Sequence, residues 1–481
     1  MTQSKVSRRR LLFAGGVMAL AAPILAACSG GGQTTSGGAQ PTAASAAPTS
    51  ASAAPTAASS APAAQPTAAA TQAAPAAASN ASGQNVKVTA SVQVGSGSNW
   101  ESDAVKAFGK AHPNYQVEIQ QIPNDQNAKK LLALLATKTL PDVAWVGVKY
   151  FGYTASKGAF LAMDPYVKQK DPGLDDYFPA SIDGCKFEGK LMAMPVEINT
   201  GNTNVILYNK DLLDAKGIKE PTDDWTFDDF ASAASKLTDK SKHVWGTNLL
   251  PTNYYDLDTW TRSLGGEILA GDGKQFALAT DPKALQAARW VTDLHTKNNA
   301  APNRADSQGL AFPSGQIGIF TTGIFSMIDI PETVGNKFKV GSVLAPVGPD
   351  GRRGYELFLV QFSISAQTKI PDVAYDLMLT ITSKETSMDA FIKEGETVPR
   401  KSVWESDEAK KIGTIFSRAS AWLSNGKDVG PFPMPNNLRF SELQDKFGNM
   451  ITDVYYGDKD FDSGIKAIQD ECQKIVALPR A

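Results

Sequence analysis

Cysteine and histidine are scarce, with three of each in 481 residues. Three cysteines cannot staple a disulfide scaffold, and three scattered histidines argue against a histidine-built metal site. Excess positive charge is also missing. Setting aside four basic residues near the N-terminus, the rest carries 43 Lys plus Arg against 49 acids, a net charge of about −6. That balance excludes a polybasic surface for nucleic acid or membrane. The chain has no Gly-x-Ser-x-Gly elbow, no His-Glu-x-x-His helix, no phosphate loop and no Gly-x-Gly-x-x-Gly turn. Asp458, Asp460 and Asp462 have calcium-loop spacing, but Ser463 and Gln469 stand where that loop needs Gly and Glu. They read as an acidic cap for the last helix. Cys185 and Cys472 read as two buried thiols. These familiar catalytic, metal and cofactor motifs are therefore missing, while a bare catalytic pair of carboxylates needs no such motif.

A long segment lacks almost everything. Residues 29–84 use only Ser, Gly, Gln, Thr, Ala, Pro and Asn. Without charge, aromatic rings or branched aliphatics, this segment cannot offset its ordering entropy and is expected to be a disordered linker. As a flexible coil it spans about 40 Å, and stretched roughly 180 Å. It serves equally as a membrane tether or a cell-wall spacer. The remaining 397 residues suffice for two or three domains of roughly 150 residues each.

Residues 1–28 read as an export signal. Lys5, Arg8, Arg9 and Arg10 precede a weakly apolar stretch from Leu11 to Ala27, too short for a bilayer span. The paired arginines resemble a twin-arginine signal, and an ordinary secretory signal with an extra arginine fits the same residues. Leu25-Ala26-Ala27-Cys28 resembles the bacterial lipobox, which makes Cys28 the lipidated first residue of the mature protein.

Beyond the linker the chain alternates strand and helix. Val86, Val88, Ala90, Val92 and Val94 keep the period of a strand. A helix is expected from about Asp103 to His112-Pro113, a strand over 115–122, a helix over 128–138 and a strand over 143–148. Thr226 with Asp229 caps a helix to about Leu237, and Asp281-Pro282 opens another. Strands are expected over 315–322, 339–346 and 356–365, and a helix from Pro371 to about Ser383. This order defines an α/β protein with mainly parallel sheet and helices on its faces.

Four blocks in order then resemble the extracellular solute-binding proteins of ABC importers, the family of maltose- and other sugar-binding proteins. They are Leu140-Pro141-Asp142-Val143 with Gly158-Ala159-Phe160-Leu161; Gly189-Lys190 through Pro195 with Leu207-Tyr208-Asn209-Lys210-Asp211; Phe312-Pro313-Ser314-Gly315 through Phe320; and Ala345-Pro346-Val347-Gly348-Pro349 with Ile364-Ser365. Gln316, Gly318 and Ile319 depart from the third block, and Tyr355-Glu356-Leu357-Phe358 replaces a usual glycine pair. The resemblance implies a two-lobed periplasmic-binding-protein-like fold, each lobe a sheet flanked by helices, joined by hinge strands. Residues 86–198 plus 362–404 would form one lobe and 203–358 plus 405–481 the other. Crossings would fall near 198–202, 359–364 and Glu405.

In that architecture ligands meet the loops after strand ends. Asn99 and Trp100 follow the first strand, and Trp145, Lys149 and Tyr150 follow Pro141-Asp142. Glu197, Asn199 and Asn202 run into the hinge. Asn253, Tyr254, Tyr255, Phe325 and Asp329 come from the second lobe, and Glu356 and Phe358 from the replaced segment. Trp225, Trp245 and Trp290 are assigned to packing, and Trp145 can point either way. Rings beside amides and carboxylates suit a sugar, whose C–H face stacks while its hydroxyls hydrogen-bond. Arg262 and Lys149 leave an anionic ligand open.

The expected function is a monomeric, lipid-anchored receptor on the outer face of the cytoplasmic membrane. It would pass a small-molecule ligand, a sugar, to ABC permease subunits without touching nucleic acid. As such a receptor it would be no enzyme and need no cofactor or metal. A lipid-anchored glycoside-processing enzyme is one alternative, since 49 acids always include some suitably spaced pair, and a binding protein for a non-sugar solute is another.

Overall fold

The computed structural model describes residues 86–94, 99–123, 126–199, 205–249, 252–270, 273–354, 356–424, 432–433 and 437–478. The export signal, Cys28, the linker and Asn202 lie outside them. The described chain folds around two sheets.

The larger sheet contains β1 (Val86–Val94), β2 (Tyr115–Pro123), β3 (Val143–Gly147), β4 (Met194–Asn199), β9 (Glu356–Ile364) and the short β10 (Phe432–Pro433). The smaller holds β5 (Val205–Asn209), β6 (Trp245–Thr247), β7 (Ile317–Thr322) and β8 (Val340–Leu344). In the larger sheet β1 lies between β2 and β3, parallel to both, with Val86 opposite Tyr115 and Ala90 opposite Val143. β9 runs antiparallel to β3 on one side and to β4 on the other. The smaller sheet has the order β8-β5-β7-β6. The alternating pattern of β1 sets its inward face: Val88, Ala90 and Val92 are fully buried.

Helices flank the sheets. In the order of the chain they include α1 (Trp100–Ala111), α2 (Asn127–Ala136), α3 (Val148–Ser156), α4 (Phe227–Leu237), α5 (Tyr254–Ser263), α6 (Pro282–Thr296), α7 (Ser326–Val334), α8 (Pro371–Ile381), α9 (Phe440–Tyr455) and α10 (Phe461–Ala477). Local chemistry sets their starts. Thr226 and Asp229 form a reciprocal capping box on α4. Asp281 accepts from the N–H groups of Lys283 and Ala284 at 2.7 and 3.0 Å, with Pro282 opening α6. Asp460 caps α10 through the Ser463 N–H at 3.0 Å, while Asp458 and Asp462 pair with Arg304 and Arg289. The aspartate triplet is thus a helix cap held by arginines. Cys185 and Cys472 are both buried free thiols.

Two boundaries differ from expectation. α1 begins at Trp100, three residues before Asp103, and the extra turn carries the Trp100 ring into the core. The return to the larger sheet is complete by Glu356, where β9 pairs with β10, so the change of sheet lies within 345–355 rather than 359–364. Near the expected third crossing, the helix Ile415–Leu423 already packs on the smaller sheet, where Arg418 bonds the Ser342 carbonyl at 3.2 Å and Asp223 at 2.6 Å.

Candidate ligand-binding site

Strand direction decides where functional side chains gather. β1, β3 and β4 share one direction, so their carboxyl ends emerge at one edge of the larger sheet, where β9 enters. Val360 of β9 lies between Gly147 and Glu197 there. β6 and β7 likewise end at the edge of the smaller sheet where β5 begins, with Thr322 opposite Val205. Residues 345–354 follow β8 of the smaller sheet and precede β9 of the larger one. Crevices outside carboxyl edges are the usual ligand positions in such sheets.

From the larger sheet the edge receives Asn99, exposed at the start of α1 with no side-chain capping bond. Lys149 and Tyr150 stand half-buried in the first turn of α3, Glu197 is half-buried on β4, and Phe358 is half-buried on β9 opposite the backbone of Asn199. Asn199 and Glu356 occupy their strand ends, but their side chains lie outside the described residues. From the smaller sheet come Asn253, whose amide donates to Asp256 at 3.2 Å, and Tyr255 and Phe325, both half-buried. Asp329 is exposed on α7.

Three expected contacts, Trp100, Trp145 and Tyr254, are buried, and Arg262, which left an anionic ligand open, is engaged elsewhere. Trp100 and Trp145 are 7% and 3% exposed, the first drawn in by the early helix start and the second by the buried face of β3. Tyr254 is fully buried edge-on against Phe440 and Phe447, while its helix neighbour Tyr255, turned by about 100°, is half-buried. Arg262 is committed to a buried pair with Asp258 at 2.5 Å and also reaches Glu267. Trp225 and Trp245 are core residues, and Trp290 packs against Phe227 and Trp260.

Two electrostatic features have no local signal in the sequence. Burial holds the Lys149 ammonium below its usual range, and Asp445 on α9 pulls it partly back. The phenol of Tyr255 is raised by burial and then by Asp256. The second feature is Glu101, 4% exposed, whose Oε2 accepts the Gln93 N–H at 2.6 Å. Burial pushes its pKa up to about 8; the Gln93 N–H opposes this, nearby Glu396 adds to it, and Trp145 opposes it. Glu101 directly succeeds Trp100 in sequence, but nothing local announces a buried acid. Asp445 and Glu396 are hundreds of residues away from the groups they act on.

The Glu101 shift has a signed consequence. Below about pH 4.5 the carboxyl is protonated in folded and unfolded chains alike. From there to about 8 only the folded chain keeps the proton, so stability falls by about 1.4 kcal/mol per pH unit. Glu101→Gln should remove this slope, stabilising the protein more at pH 7.5 than at pH 5 in urea unfolding. An equal change at both pH values would contradict a neutral buried carboxyl.

Comparison with known proteins fits this geometry. Residues 90–388 match the family described as bacterial extracellular solute-binding protein, and the chain belongs to that family. A Brucella abortus (strain 2308) protein with the general name of binding protein is 27% identical over 289 residues, 58% of this chain and 67% of its own. An ABC substrate-binding protein from Listeria monocytogenes, solved in complex with cycloalternan, superposes with a TM-score of 0.67 and 23% identity, covering 82% of this chain and all of that one. The sugar-binding protein MalE of Xanthomonas citri gives a TM-score of 0.72 at 18% identity, covering 82% and 98%. The fold is the two-lobed one of these binding proteins. Among the described residues, no helix is long and apolar enough to cross a membrane.

Proposed function

We propose that this protein is a lipid-anchored extracytoplasmic receptor that captures a carbohydrate between its lobes and delivers it to an ABC permease. The observation that carries this reading is the mixture at the two sheet edges. Half-buried rings (Tyr150, Phe358, Tyr255, Phe325) alternate with amide, carboxylate and ammonium groups (Asn99, Glu197, Asn253, Lys149). Rings cover the C–H face of a sugar while polar groups take its hydroxyls. The cycloalternan bound by the Listeria protein and the description of the Xanthomonas protein as sugar-binding support the same class. Hinge closure then results because a bridging ligand binds the closed form better. The protein acts as a monomer, held to the membrane through Cys28 and its linker alone.

A thermal-shift screen against mono- and oligosaccharides tests the ligand class. A sugar at ~100 times its Kd should add roughly 2.7 kcal/mol to stability. Recovery of the sugar intact separates a receptor from a glycosidase, and no stabilisation by any carbohydrate would refute the reading. The anchor has its own test. Cys28→Ser should yield protein without acyl chains, uncleaved or released from the membrane. An unmodified mature N-terminus elsewhere in the wild type, seen by mass spectrometry, would overturn lipidation.

A further inference from the structure

Glu101 lies two residues beyond Asn99, in the first turn of α1, and water scarcely reaches it. A carboxyl in such a place costs stability that an apolar side chain would not, unless its bonds compensate. Its Oε2 holds the main-chain N–H of Gln93, one residue before the end of β1. Its other oxygen and the nearby indole N–H of Trp145 are both buried and have no hydrogen-bond partner. The side chain therefore braces the strand that enters the β1–α1 connection against the helix that leaves it. Asn99 adds no capping bond from its own side chain; the Asp103 N–H bonds its carbonyl at 2.9 Å.

We propose that Glu101 is a positioning residue for ligand capture: its carboxyl group ties Gln93 to the first turn of α1 and thereby fixes where Asn99 stands at the site edge. This rests on the carbohydrate-capture reading of the two sheet edges. The brace is sensitive to pH. Ionisation would place a second charge near Glu396 in a volume without water to screen it. Among the described residues, Glu396 is the ionisable group that raises the Glu101 pKa by its charge; the Gln93 N–H bond and the nearby Trp145 indole lower it. The Gln93 N–H holds a charged carboxylate more tightly than a neutral one, but burial and Glu396 together outweigh that bond, so the charged side chain is driven toward water and releases Gln93.

Two readouts test this on the full chain. The first is hydrogen–deuterium exchange of the peptide spanning residues 93–101 without ligand, at pH 6 and pH 9, corrected for intrinsic rates. The second is calorimetric binding of maltotriose at the same two pH values. In wild type, protection and affinity should both fall about tenfold from pH 6 to pH 9, the extent one pH unit beyond the midpoint allows. Glu101→Gln keeps an acceptor without a titrating proton, so both should stay level. Glu101→Ala should lose both at either pH while remaining folded by circular dichroism. If wild type and Glu101→Gln respond to pH alike, or Glu101→Ala exchanges like wild type, the brace is overturned. Equal maltotriose affinity in all three proteins overturns the link to capture. If exchange behaves as expected but wild type ignores maltotriose and every other saccharide, the carbohydrate reading fails and the brace stands.

Discussion

The Tyr150→Ala/Phe325→Ala double variant should bind its sugar roughly a thousandfold more weakly than wild type and should not compact when ligand is added. Tyr150 stands in the first turn of α3 at the edge of the larger sheet, and Phe325 stands at the entry to α7 beyond β7 of the smaller one. Each ring is half-buried without ligand, so each keeps apolar area to bury against a sugar. One such face is worth about 1–3 kcal/mol, which gives each single variant a tenfold to hundredfold loss. The double variant does more than add these losses. With a ring gone from each lobe, the ligand loses most of its differential affinity for the closed form and cannot drive closure. Titration with small-angle scattering on wild type, both single variants and the pair decides it. Unchanged affinity throughout would move the site elsewhere, and sugar binding by wild type without compaction would refute closure.

Arg400→Ala should cost about 3–5 kcal/mol of folding stability, measured by urea unfolding. The guanidinium is 5% exposed and bonds the carbonyls of Thr382 at 2.6 Å and Pro172 at 3.1 Å, and the Asp176 carboxylate at 3.1 Å. It also lies over the Tyr177 ring, 4.2 Å from its centre. Removing it takes the guanidinium from the Pro172 carbonyl, leaves the Thr382 carbonyl to the Tyr177 hydroxyl at 3.0 Å, and leaves the Asp176 carboxylate to Ser402, through its N–H at 2.9 Å and its hydroxyl at 2.8 Å. Arg400→Lys should recover only part of the loss, because one ammonium cannot serve three separated acceptors in a fixed fork. A loss below about 1 kcal/mol for Arg400→Ala would mean these acceptors find water instead.

Much of the fold is legible in the sequence because its signals are local. The alternating residues of β1, the Thr226–Asp229 box and the Asp281-Pro282 start each act within a few positions, and each forms as its residues dictate. The site is legible only in part. Reading strand ends finds Lys149, Tyr150, Glu197 and Phe325 at the sheet edges, because any loop after a parallel strand must emerge there. It fails to separate Tyr254 from Tyr255, since two neighbours on a helix differ only in which face meets Phe440 and Phe447. Trp100 escapes such a reading for a related reason: nothing near it marks that the helix starts three residues early.

By itself, then, the sequence determined the alternation of strands and helices, the helix caps and the family blocks, all set by hydrophobic period and by hydrogen bonds between near neighbours. Tertiary structure alone decided which rings stay half-buried at the sheet edges, that Arg262 is spent on Asp258, and that Glu101 is buried with its pKa raised. Those outcomes depend on burial and on partners hundreds of residues away, such as Glu396 for Glu101 and Asp445 for Lys149, which only the folded chain brings within reach.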